Sequence, residues 1–298
     1  MSLKIYFLES RPNFLILSVV LVILGTSIAW YDGVFNLRYS LLTLLGLLLL
    51  HISVNALNEY YDYVSGVDFK TKTTPFSGGS GILPGSDFPV KRIFWLGIIA
   101  FILTVPIGIY FVLTKGWFLL PIFIIGAIFV LFYTTFLAKL GWGLSEISAG
   151  LGLGTLPVLG VYLILNHGFS WPVLFASIPS GILVCNLLLL NEIPDVEGDK
   201  VGGRKTLPII LGKDKAARIY SALTLLVYMW VVLGVSLKIM PPFTLVALLT
   251  LPVAFIAITG SFAHDDESKM LPAQGANVMV VLLTQFLLGV GYILARAI

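Results

Sequence analysis

Nine runs of about 20 apolar residues, each long enough to carry a helix across the hydrocarbon core of a bilayer, dominate this 298-residue sequence. They fall at roughly 14–31, 39–60, 93–114, 117–138, 144–165, 172–194, 216–238, 241–262 and 274–296. The runs are uniformly apolar rather than alternating, which predicts helices and argues against a porin-like barrel. Composition points the same way. With 58% hydrophobic residues, 11% charged residues and a mean hydropathy of +1.00, the chain has too little charge to cover a soluble domain of its size. The expected fold is an all-α integral membrane domain over 1–298, with polar cap loops at about 62–91 and 195–215. One cysteine, Cys185, and three scattered histidines, His51, His167 and His264, exclude a disulfide framework and a Cys/His metal centre.

The charges fix an expected orientation. An odd number of spans puts the termini on opposite sides. With the N-terminus in the cytoplasm, every Lys and Arg is cytoplasmic except Arg38, Lys115, Lys238 and Arg296. That is the positive-inside pattern of a multi-pass protein of the cell membrane. The rule predicts nothing for acids, yet all of them except Asp32 fall on the same side. Short outer turns have little room for charge, but that does not account for how the acids cluster.

Two clusters stand out. Asn58, Glu59, Asp62 and Asp68 close span two, and Asn191, Glu192, Asp195 and Asp199 close span six. In each, Asn and Asp are four residues apart and share a helical face, with a further Asp downstream. The motif reads in the same direction both times, four spans apart, so the repeat is parallel. A carboxylate costs about 2.5–3.5 kcal/mol at the centre of a membrane helix and less near its end. Facing acids also repel, so a cation must lie between them. Hard divalent ions with oxygen ligands suit the role, and Mg2+ completes a small carboxylate set with water and phosphate oxygens. A single motif of this kind resembles any solvated helix end; the matched pair suggests two Mg2+ ions bridging a diphosphate.

Cations flank both motifs. Lys72 follows the first, Arg204 and Lys205 follow the second, and Lys139 lies after span four. Fixed positive charge stabilises a departing diphosphate as its carbon–oxygen bond breaks. Lys91, Arg92, Lys213, Lys215 and Arg218 are read instead as topology and lipid-headgroup residues. The glycine-rich stretch Ser77-Gly78-Gly79-Ser80-Gly81 either turns backbone N–H groups toward an anion or acts as a lid hinge. Tyr60, Tyr61, Tyr63 and Tyr133 either belong to the interfacial belt or shield a cation with their ring faces.

At these residues the chain resembles the UbiA superfamily of intramembrane prenyltransferases. The resemblance runs over nearly the whole length: Arg11-Pro12, the Asn58/Asp62/Asp68 motif, Tyr133-Thr134 with Lys139 and Glu146, and Asn191/Asp195/Asp199 followed by Lys205-Thr206-Leu207. Gly66-Val67-Asp68 and the Gly-Gly-Ser-Gly loop are similar to the menaquinone branch, whose members prenylate 1,4-dihydroxy-2-naphthoate. Glu59 departs from the Asp that many members carry, and Glu192 and Pro194 are likewise unusual. The resemblance implies nine helices around a central cavity with a cytosolic cap. It also implies Mg2+-assisted ionisation of an isoprenyl diphosphate and attack on the carbocation by an electron-rich aromatic acceptor. Asp62, Asp68, Asp195 and Asp199 would then hold Mg2+ with help from Asn58 and Asn191. Arg11, Lys72, Tyr133, Lys139, Arg204 and Lys205 would hold diphosphate or steer the cation. Its partners would be the isoprenyl diphosphate, a hydrophobic or aromatic acceptor and the lipid bilayer, with no nucleic acid.

Two other classes compete. A glycerol-phosphate ether lipid is an alternative acceptor. A cation-coupled transporter is an alternative function, but carriers commonly place charge at the midplane, whereas here it gathers at span ends.

Overall fold

In the computed structural model, residues 2–166 and 168–298 are described; His167 lies outside them. Among the described residues nine helices are long and apolar enough to cross a membrane. Spans one to nine are Pro12–Tyr31, Leu37–Ser65, Lys91–Lys115, Trp117–Leu140, Leu144–Asn166, Trp171–Val201, Lys213–Ser236, Pro242–Ser261 and Glu267–Ala297. A short helix, Ser2–Glu9, precedes span one, and another, Leu207–Leu211, lies between spans six and seven. The chain is an all-helical, multi-pass membrane protein.

Apolar run length located every span but misplaced several ends. Span two stays helical five residues beyond its expected end and stops at Gly66, whose φ of 86° is open to glycine. Span six continues to Val201, through Asp195 and Asp199 and past an exposed Pro194. The second polar link therefore starts after residue 201, not at 195. Span nine begins at Glu267, where Asp266 caps it by accepting from Ser268 N at 3.1 Å. Spans two and nine share a cause. A helix ends where its backbone groups find caps, not where its side chains stop being apolar.

Packing follows small residues, as it must where lipid removes the hydrophobic drive between helices. Gly150 and Gly154, one turn apart on span five, lie against span six so closely that a Cβ on either would sit 2.5 Å from the carbonyl of Gly181 or Ser180. Span nine packs on spans one, six and eight, and span one packs on span five. Spans two and six, which carry the motifs, do not pack along their length. They meet at the polar end, where the turn Val67–Phe69 docks on the end of span six.

Candidate functional site

The docking of that turn is set by two glycines. A Cβ at Gly198 would fall 1.8 Å from Thr71 Oγ1, and one at Gly202 would fall 2.6 Å from Val67 Cγ2. Because both positions lack side chains, the chain leaving the first motif lies directly on the second. Asp62 and Asp199 are thereby brought within reach of one guanidinium. Arg204 Nη1 donates to Asp199 Oδ1 at 2.8 Å, and Arg204 Nη2 donates to Asp62 Oδ1. Asp62 and Asp199 are buried, and Arg204 is 14% exposed. Although burial opposes its charge, Arg204 is held protonated by Asp62 and Asp199. The cation required between the motifs is, in this structure, an arginine of the chain itself.

The glycine loop covers the pair. Gly78, Gly79 and Gly81 all have positive φ (78°, 73° and 67°). Gly78 N donates to Asp195 Oδ2 at 3.1 Å, and Ser80 N donates to both oxygens of Glu59 at 3.0 and 3.1 Å. A Cβ at Gly79 would lie 2.9 Å from Asp68 Oδ1. The loop does present N–H groups to anions, and those anions are the motif carboxylates. Ser80 Oγ also donates to Glu9 Oε1 at 2.9 Å.

Arg11 is placed differently from the expectation. It has left-handed backbone (φ 51°) between the first short helix and span one, and its guanidinium pairs with buried Glu59. Glu59 is the departure from the usual Asp, and Arg11 and Ser80 answer its charge. Burial and then Glu59 push the Glu9 carboxyl up to about 7. Burial, with Glu59 and Asp62 nearby, pushes Asp68 up to about 8.

The other expected residues divide. Asn58 Nδ2 donates to Thr134 Oγ1 at 3.1 Å, leaving its carbonyl oxygen for a ligand. Asn191 Oδ1 instead accepts from Gln274 Nε2 at 3.2 Å. That bond engages one lone pair of the oxygen through which Asn191 would take a metal. Tyr133 opens a π-helical turn, Tyr133–Leu137, and its Oη lies 3.1 Å from Ser145 Oγ. Such turns are frequent at functional sites. Lys205 N donates to Ala138 O at 2.9 Å, so exposed Lys205 and Lys139 sit together at the rim. Among the described residues neither reaches salt-bridge distance of a motif carboxylate. Lys72 is 75% exposed and pairs with Glu267, tying the cap to span nine rather than facing the motifs. Tyr60 stacks edge-on with Tyr61 and packs on Phe94, while Tyr63 packs on Phe69. Tyr60 thus contacts an aromatic neighbour in span three and Tyr63 one in the cap.

Whether the acids suit Mg2+ is tested by their chemistry. The donors are all oxygen, and Asp68 Oδ2 is buried with no hydrogen-bond partner. Among the described residues no three His, Cys, Asp or Glu side chains converge on one point. Mg2+ takes one or two carboxylates and fills its shell with water and phosphate, so the set fits that ion.

Residues 18–295 match the UbiA prenyltransferase family. The chain belongs to that family. It is 29% identical over 287 residues to the 1,4-dihydroxy-2-naphthoate octaprenyltransferase of Bacillus subtilis (strain 168), covering 96% of this chain and 91% of the relative. The Escherichia coli (strain K12) protein of the same name is 29% identical over 225 residues, 72% of this chain and 71% of that one. Among solved structures, the apo UbiA homolog from Aeropyrum pernix K1 superposes with a TM-score of 0.70 at 15% identity, over 95% of this chain and 98% of that one. A UbiA homolog from Archaeoglobus fulgidus, bound to GPP and Mg2+, superposes with a TM-score of 0.61 at 13% identity, over 98% and 99%. At these identities the likeness is one of fold. In this UbiA-type prenyltransferase, sequence reasoning passed over Glu9, Ser145 and Gln274. Gln274 had left a signal, since an amide inside an apolar span is rarely idle.

Proposed function

We propose that the protein transfers an isoprenyl group from an isoprenyl diphosphate to a hydroxylated aromatic acid of the quinone-precursor type, at the cytoplasmic face of the cell membrane. The observation that carries this reading is the meeting of the two Asn/Asp motifs around Arg204, in a chain aligned almost end to end with naphthoate prenyltransferases.

Asp62, Asp68 and Asp199, with Asp195 opposite and the carbonyl of Asn58, would hold Mg2+. When bound, Mg2+ neutralises charge gathering on the diphosphate as the allylic carbon–oxygen bond breaks. Arg204, which pairs with Asp62 and Asp199, would bind the diphosphate, with Lys139 and Lys205 at the rim. The glycine loop then acts as a cover that keeps water from the allylic cation. Tyr133 and the apolar walls face that cation. A largely apolar groove of about 400 Å3 among spans two, three, four and five, lined by Leu47, Leu50, Phe101, Phe123 and Gly126, suits an isoprenoid chain. Its two threonines bond their own helices, Thr43 to Tyr39 O and Thr104 to Phe101 O.

The test is a reconstituted assay that crosses isoprenyl diphosphates of several lengths with a dihydroxynaphthoate, a hydroxybenzoate and a glycerol-phosphate ether lipid, with and without Mg2+. Mg2+-dependent product with the naphthoate is expected. Product with the ether lipid alone would move the acceptor to the other branch.

A further inference from the structure

Beyond the two motifs lies a second buried acidic pair, Glu146 on span five and Glu192 on span six. Its origin is the glycine contact between those helices. Glu146, Gly150 and Gly154 are spaced four apart on one face of span five, and Gly181, Cys185 and Glu192 share the facing side of span six. Where Gly150 lets the backbones approach, a Cβ would also lie 3.0 Å from Cys185 Cβ. One turn further toward the polar end, the same approach forces the two glutamates together.

Both side chains are inaccessible, Glu146 at 0% and Glu192 at 4% exposure. Glu146 Oε1 accepts from Leu207 N at 2.7 Å, and Glu192 Oε1 accepts from Ser145 Oγ at 3.1 Å. The second oxygen of each is buried with no hydrogen-bond partner, and the two carboxyl groups lie close enough for Glu146 to act on the charge of Glu192. Ser145 Oγ stands 3.1 Å from Tyr133 Oη, and the Tyr133 ring is only part-buried. A hydrogen-bonded chain therefore runs from Tyr133 through Ser145 to Glu192, with Glu146 beside its end. An interhelical contact needs no such pair, because apolar residues of similar volume pack at least as stably.

We propose that Glu192 and Glu146 form the proton acceptor for the aromatic substrate, reached through Ser145 and Tyr133. This inference rests on the aromatic-acceptor reading above. As the ring carbon bonds to the allylic carbon, the diphosphate leaves with the electron pair of the carbon–oxygen bond. The proton of a ring hydroxyl passes by way of the Tyr133 and Ser145 hydroxyls to a carboxylate of the pair, and its O–H electrons move into the ring as a C=O bond. Re-enolisation then moves the ring C–H proton to the carbonyl oxygen, which restores the aromatic hydroxyl product and leaves the one net proton on the carboxylate. No oxidant or reductant enters. Glu192 and Glu146 act through Ser145 and Tyr133, so they are positioning and proton-holding residues and not groups that touch the cation.

The experiment separates donor ionisation from transfer in the purified, reconstituted protein with Mg2+. Pyrophosphate release from geranyl diphosphate without acceptor reads ionisation; prenylated dihydroxynaphthoate reads transfer. In Glu192→Gln and Glu146→Gln, transfer falls about 100-fold, the scale of a lost general base, while ionisation stays within about threefold. Ser145→Ala gives the same split by severing the chain while leaving both carboxyl groups in place. Glu192→Asp recovers part of the transfer, and its pH profile moves. Parallel loss of ionisation and transfer in all three disabling variants, or no loss in any, would overturn the proposal. Absence of aromatic product from the unsubstituted protein would overturn the acceptor reading and this inference with it, a failure visible before any substitution is made.

Discussion

Arg204 reaches Asp62 across 142 residues of sequence and joins the end of the second motif to the first. Removing it leaves Asp62 and Asp199 facing each other inside the protein. For Arg204→Ala the metal-free protein is expected to lose about 3–5 kcal/mol, the usual penalty of a broken buried ion pair. Its thermal transition in detergent falls accordingly. Mg2+ with pyrophosphate should raise that transition more in the variant than in the unsubstituted protein, because the ion then supplies the missing charge. An equal rise in both would show that Arg204 and the ion do not share a place.

Asp62→Ala and Asp195→Ala are each expected to reduce prenyl transfer by on the order of 10³-fold or more, since the leaving diphosphate loses electrostatic stabilisation. Circular dichroism and gel filtration should show a folded protein. Near-normal turnover in either variant would remove that residue from the metal set.

Gly198 tests whether the approach of the motifs matters. A methyl at Gly198 collides with Thr71 Oγ1 at 1.8 Å, so Gly198→Ala should pull the first motif's turn off span six and suppress activity. Thr71→Ala removes the colliding oxygen and leaves the threonine Cβ position at 3.1 Å, a distance a small shift accommodates. The double variant should therefore recover activity that Gly198→Ala alone loses. Failure of the second change to rescue the first would assign the glycine another role.

The first short helix carries a pH dependence. Burial and Glu59 raise the Glu9 carboxyl from 4.5 to about 7, so folding favours its protonated form. That contribution is full below 4.5 and is lost as pH rises through about 7, worth at most on the order of 3 kcal/mol. Unfolding midpoints of the metal-free protein should fall between pH 5 and pH 8. Glu9→Gln, which keeps a partner for Ser80, should flatten that slope; an unchanged slope would trace it to another group.

Gly126 lies in the groove, where an added Cβ meets no atom within 4 Å. Gly126→Phe can fill the groove without disturbing the helices. Competition between short and long isoprenyl diphosphates should shift toward the short donor. If the preference stays put, the chain lies elsewhere.

Much of this architecture was legible in the sequence because it depends on local properties. Apolar length determines a span, lysines and arginines bias its orientation, and an Asn and Asp four apart must share a helix face. That local logic located nine spans, collected the charge at one end and singled out both motifs. It failed at the helix ends, because Gly66 ends one helix through its backbone conformation and Asp266 caps another through its side-chain oxygen, neither of which apolar counting registers.

Tertiary structure alone decided the partners. No spacing rule connects Arg11 to Glu59, Arg204 to Asp62, or Glu146 to Glu192; each pair comes from different elements. Glycines decide how closely those helices approach. Gly150 and Gly154 bring span five onto span six, and Gly198 and Gly202 seat the first motif on the second. The sequence by itself determined which residues would be charged and at which end of the bundle. Only the packing determined which charges face each other, because that depends on where two backbones, far apart along the chain, have no side chain to hold them apart.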